Sequence, residues 1–158
     1  MSQRKKPKVG DVIRIATVSG WAYAQFTRRD PLLGCMIRVL PGLYPEPLEP
    51  AALTRAVAAA DELYYTFVFP QDFDEPPTVS VVANEPVPAR CRAYPLFRDG
   101  TRDPRTRHVE TWWLWDGTKS WQVGPLTEEL RRLPVREIWN FKILADRVGS
   151  GWTPAEEV

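Results

Sequence analysis

Apolar and polar positions alternate early in the chain. In residues 12–16, Ile13 and Ile15 fall on one side of an extended backbone and Val12 and Arg14 on the other. Ser19-Gly20 marks a turn. Residues 21–28 then alternate Trp21, Tyr23 and Gln25 against Ala22, Ala24 and Phe26, and residues 32–40 (LLGCMIRVL in 32–40) read as a third strand. Connections this short join antiparallel strands, so a meander is expected. A proline-rich loop over 41–50 carries Pro41, Pro45, Pro47 and Pro50. The period then becomes helical over 51–63, where Leu53, Val57, Ala60 and Tyr64 share a face among many alanines. From Tyr64 the pattern returns to strand over 64–69, ended by Pro70, with further strands over 78–83 and 90–97.

A polar, Arg- and Asp-rich loop over 98–107 precedes the strongest hairpin signal, ETWWLW and TKSWQV joined at Asp116-Gly117. A two-residue turn there pairs Trp112 with Trp121. It puts Trp112, Leu114, Trp121 and Val123 on a buried face, and Trp113 and Trp115 on the other among polar neighbours. Residues 126–133 hold one or two helical turns, capped by Thr127 and ended at Pro134. Ile138 reads as extended. Residues 140–148 form a last helix, with Phe141, Leu144, Ala145 and Val148 at helical spacing and Gly149 and Gly151 at its end. The expected fold is β-rich α+β: a single domain over 9–158, an antiparallel curved sheet or partly open barrel with an SH3-like opening, and two or three short helices. Residues 1–8, with Arg4, Lys5, Lys6 and Lys8, read as a disordered basic tail.

Composition narrows the function classes. The 158 residues suit one domain, and 44% hydrophobic content supplies a core. Lys+Arg of 21 against Asp+Glu of 20 leaves a net charge of +1, which argues against a strongly basic nucleic-acid binder. The longest uncharged run near the start, 15–27, is too short to span a membrane. No apolar leader follows the basic N-terminus, so a cytoplasmic protein is expected. Cys35 and Cys91 form no CxxC and read as free, buried thiols.

Candidate chemistry is sparse. The single histidine, His108, has only Glu110 as a near acidic neighbour in sequence and no nucleophile, so an exposed or half-buried strand-start side chain is the ordinary reading. Asp72, Asp74 and Glu75 place three carboxylates in four residues. They lack the EF-hand spacing, so a solvated loop is the ordinary reading and an acidic contact patch for a basic partner the functional one. Arg98, Arg102, Arg105 and Arg107 are interleaved with Asp99 and Asp103 and lack a glycine nest, which weakens a phosphate-binding reading. Phosphate-loop, dinucleotide, zincin and nucleophile-elbow patterns are absent from the sequence. No catalytic residue, metal or cofactor is assigned. For Trp113 and Trp115 the ordinary reading is that a helix or loop covers them; the functional one makes them a partly exposed aromatic contact surface, because tryptophan is enriched in binding hot spots.

KVGDVIRI (8–15) followed by WAYAQF (21–26), then LPVREIWN (133–140), a short helix and GSGW (149–152) resembles the immunity protein 26 family of bacterial polymorphic toxin systems. The resemblance covers both ends of the chain. It implies a mostly β, non-enzymatic protein that binds and neutralises a cognate toxin domain by occlusion. The alternative is an SH3-like module that binds nucleic acid or peptide through the basic tail and the Trp-bearing strands.

Overall fold

A computed structural model describes residues 6–59 and 61–157. The β-rich α+β single domain expected from the pattern is the fold. It has a six-stranded mixed sheet, a three-stranded antiparallel sheet and three α-helices, with no closed barrel among the described residues. Two compact units carry the two sheets. One comprises the described residues up to Arg92 together with Glu137–Trp152, the other Ala93–Arg136 and the residues from Thr153 on.

In the first unit, β1 (Asp11–Thr17), β2 (Gly20–Asp30) and β3 (Gly34–Val39) form the expected antiparallel meander, and β4 (Tyr64–Val68) adds to it antiparallel to β3. β5 (Val79–Asn84) pairs antiparallel with β1 at one edge. At the other edge lies β9 (Ile138–Trp139), and it departs from the expectation. It pairs parallel with β4, Phe67 opposite Ile138 and Val68 opposite Trp139. A parallel partner needs a long connection, and about 70 residues separate the two strands here.

Alternation along β1 and β2 works as read, but both faces are buried. One face packs Ile13, Ile15, Ala22, Ala24 and Phe26 against Leu144 and Val148 of α3 (Phe141–Ser150). The opposite face packs Val12 and Tyr23 against Leu53 and Val57 of α1 (Pro50–Ala58). α1 starts on Pro50, where a missing N–H costs nothing, and is shorter than the 51–63 expected. Ala60, part of that expected helical stripe, lies outside the described residues. α3 has the caps its sequence promises. The Asn140 side chain accepts from Ile143 N, and Gly151 closes the helix at φ 74°. Gly149 stays inside the helix.

On the α1 face the row Val12, Gln25, Arg38, Tyr65 crosses four strands, and Arg38 is fully buried. Its Nη2 donates to Val57 O at 2.6 Å and its Nε to Gln25 Oε1 at 3.0 Å. The cation thereby meets carbonyl groups at the C-terminal end of α1, the negative end of the helix dipole. Burial pulls the Arg38 pKa below the ordinary arginine value; Cys91, Tyr65 and Glu62 nearby act against that pull.

Part of the expected tail is held in place. Arg29 donates to Pro7 O, and Lys8 N to Asp11 Oδ2. The rest of it, residues 1–5, lies outside the described residues. Cys35 and Cys91 are free and buried, as expected. No helix among the described residues is long and apolar enough to cross a membrane.

The strand expected over 90–97 does not form along most of that stretch. Ala89–Cys91, in the first unit, is a 3₁₀ turn; β6 (Phe97–Arg102), in the second, begins at the last residue of that stretch and runs into the polar loop expected over 98–107. Prolines at 88 and 95 remove the N–H groups a central strand would need. β7 (Val109–Trp115) lies between β6 and β8 (Ser120–Val123). A one-turn helix, α2 (Glu128–Arg131), follows, with Thr127 as its N-cap.

Candidate functional site

The β7–β8 pairing owes its register to one turn. Asp116 N donates to Lys119 O, and the Asp116 carboxylate accepts from Thr118 N at 2.9 Å and Lys119 N at 2.7 Å. These backbone donors hold its pKa below the usual carboxylate value. Gly117 supplies φ 96°. The turn is therefore centred on Gly117-Thr118, one residue later than expected. Moving the centre by one residue moves every partner by two: Trp112 faces Val123, and Leu114 faces Trp121. A shift of two keeps each side chain on its face, so the division of faces holds although the expected Trp112–Trp121 pair does not.

Burial does not follow that division. Trp112 is buried, as expected, but Trp121 on the same face is 40% exposed. β8 is an edge strand, and only the part of that face toward β6 is covered. There the fully buried Arg98 stacks on Trp112 at 4.4 Å and donates to the carbonyls of Arg131, Leu133, Pro154 and Glu157. Arg98 is thus a structural clamp and no phosphate ligand. Arg102 is engaged too, in an ion pair with Glu157.

On the opposite face Trp115 is buried rather than available for contact. Tyr94 meets it edge-on at 5.3 Å, Phe97 lies 5.6 Å away, and the Arg136 guanidinium sits 4.0 Å from the ring centre. Trp113, by contrast, is 41% exposed. It stands on the middle strand between Asp99 and Gln122. A hollow of about 310 Å³ lies beside it, lined by Arg102, Asp103, Glu110 and Thr111 among others. A second hollow of about 420 Å³ shares Glu110 and Thr111 and extends to His108, Trp112, Val123 and Arg131. His108 is exposed. Reading 98–107 as loop hid the fact that Arg102 and Asp103 flank Trp113. FRDGTR carries Asp and Gly, both depleted in strands, so it gave no local strand signal.

The acidic residues belong to the first unit, so they share no element with Trp113 and Trp115. Asp72 ends a 3₁₀ turn, Pro70–Asp72. The Asp74 carboxylate accepts from Val81 N at 3.4 Å, and Glu75 exchanges two backbone hydrogen bonds with Val79. All three are half-buried. They form a structured corner, in contrast to the open loop expected. Among the described residues no cluster of His, Cys, Asp and Glu has the arrangement to hold a metal ion.

Compared with protein-family models, with curated proteins and with solved structures, the chain matches none.

Proposed function

We propose that this chain is an immunity-type binding protein that occludes a cognate bacterial toxin domain. The observation that carries the reading is Trp113, a large aromatic left 41% exposed on the central strand of a sheet. Such a ring gives contact area at low entropic cost, and the charged side chains of Arg102, Asp103 and Glu110 around it form a polar rim. The resemblance of 8–15, 21–26 and 133–140 to an immunity family supports the same reading; those segments build β1, the start of β2 and β9. In this proposal Asp72, Asp74 and Glu75 steer a basic partner.

The test is co-expression with the C-terminal domain of the exported protein encoded beside this gene. Wild type protects the cell and Trp113→Ala binds about 30-fold or more weakly, the loss of a hot-spot residue. Lack of protection by wild type, or unchanged affinity in Trp113→Ala, overturns the proposal. A second reading, nucleic-acid binding, is favoured by exposed Lys6, Lys8, Arg28, Arg29 and Arg92 around two hollows that both include Val9 and Asn84. It requires affinity for DNA or RNA that falls steeply with salt.

A further inference from the structure

We propose that two copies of this chain join through β8, edge to edge and antiparallel, about a two-fold axis at Trp121. The Asp116 N–H to Lys119 O bond makes 116 and 119 a hydrogen-bonded pair. Such pairs alternate with non-hydrogen-bonded ones in an antiparallel ladder. Leu114–Trp121 and Trp112–Val123 are therefore hydrogen-bonded, while Trp115–Ser120 and Trp113–Gln122 are not. The N–H and C=O groups of Ser120 and Gln122 consequently turn away from β7, toward the open edge of the sheet. Both residues are exposed.

This edge is self-complementary. With the axis at Trp121, Ser120 falls opposite Gln122 of the second copy, and Gln122 opposite its Ser120. Each pairing exchanges two main-chain hydrogen bonds. Trp121 then faces its own copy at a non-hydrogen-bonded position, where side chains approach most closely, and the two half-exposed indoles cover each other. Charges do not oppose the pairing, since Lys119 falls opposite Val123 of the second copy. β8, though only four residues long, lacks three usual protections of an edge: charge, proline and a bulge.

The far edge of the same sheet is covered at Arg98. Arg98 N donates to Pro134 O, and Arg136 N donates to Arg98 O, so residues 134–136 occupy the outer side of β6. One open edge and one covered edge make the association close at two copies rather than run on.

Sedimentation velocity on the full chain, from about 1 µM to about 1 mM, spans the range in which a small interface associates. Wild type is expected to move from monomer to dimer, with no larger species. Gln122→Pro removes an outward N–H while leaving the β7 pairing intact, and is expected to remain monomeric with an unchanged circular dichroism spectrum. Trp121→Cys is expected to form a covalent dimer under mild oxidation, because its Cα faces its own copy, whereas Lys119→Cys is not. The native cysteines are buried and do not compete. A monomeric wild type throughout, a dimer that survives Gln122→Pro, or faster cross-linking of Lys119→Cys than of Trp121→Cys overturns the proposal.

Discussion

Trp115 and Trp121 stand on the two strands of one hairpin, yet their replacement by alanine should have very different consequences. Trp115 is 6% exposed and Trp121 40%. A tryptophan buries up to about 150–250 Å². At about 25 cal/mol per Å², less what alanine retains, truncation of Trp115 loses ~3–5 kcal/mol including the cavity. Its contacts with Tyr94, Phe97 and Arg136 put it at the upper end of that range. Trp121 keeps less of its area from water and lies on an edge whose neighbours can relax, so its loss is about 1–2 kcal/mol. Whole-domain stability is only about 5–15 kcal/mol. With a urea slope of about 2 kcal/mol/M, Trp115→Ala should lower the midpoint by about 1.5–2.5 M, and Trp121→Ala by under about 1 M. The assay is urea unfolding followed by far-UV circular dichroism and fluorescence, at protein concentrations low enough to exclude self-association. Equal shifts for the two variants, or a larger one for Trp121→Ala, would refute the burial argument.

Three further outcomes follow from the same structure. Gly117→Ala should destabilise by about 2–3 kcal/mol in thermal or urea unfolding, because φ is 96° and a Cβ would fall 2.4 Å from the Tyr94 ring. Arg98→Met removes a buried donor from several carbonyls and should cost about 3 kcal/mol or more, measured as accelerated proteolysis between 93 and 136. Burial pushes the Cys35 thiol up to about 11 from an ordinary 9.0. The folded state therefore favours the neutral thiol, and that stability is complete below pH 9 and lost as pH rises toward 11. In Cys35→Ala the alkaline decline should begin nearer pH 10, where the buried, upward-shifted Tyr64 and Tyr65 phenols take over; an identical onset in both proteins would refute the assignment.

Local pattern was enough for several elements. Alternation in Val12–Ile15 and Trp21–Phe26 placed β1 and β2 and assigned their two faces correctly, because side-chain parity is a property of the strand itself. Asn140 and Gly151 marked the ends of α3, because caps act within a few residues. The partition of hairpin faces survived a misplaced turn for the same reason of parity. For the candidate site, the face that carries Trp113 was legible from parity, but whether that face was covered was not.

Tertiary structure decided the rest. Parity says which face a side chain is on, not whether that face is covered. Trp115 is buried because Tyr94 and Arg136, distant in sequence, close over it, and Trp121 is exposed because β8 has no outer neighbour among the described residues. Arg98 read as part of a polar loop, yet it lies fully buried on carbonyl groups brought from far along the chain, and Arg38 within β3 is fully buried on the Val57 carbonyl. β9 is two residues long, too short for any periodic signal, and exists only because β4 offers it a parallel edge. Nearest-neighbour chemistry determined strands, caps and faces. Burial and partner choice are set by contacts between distant segments, and no local pattern encodes them.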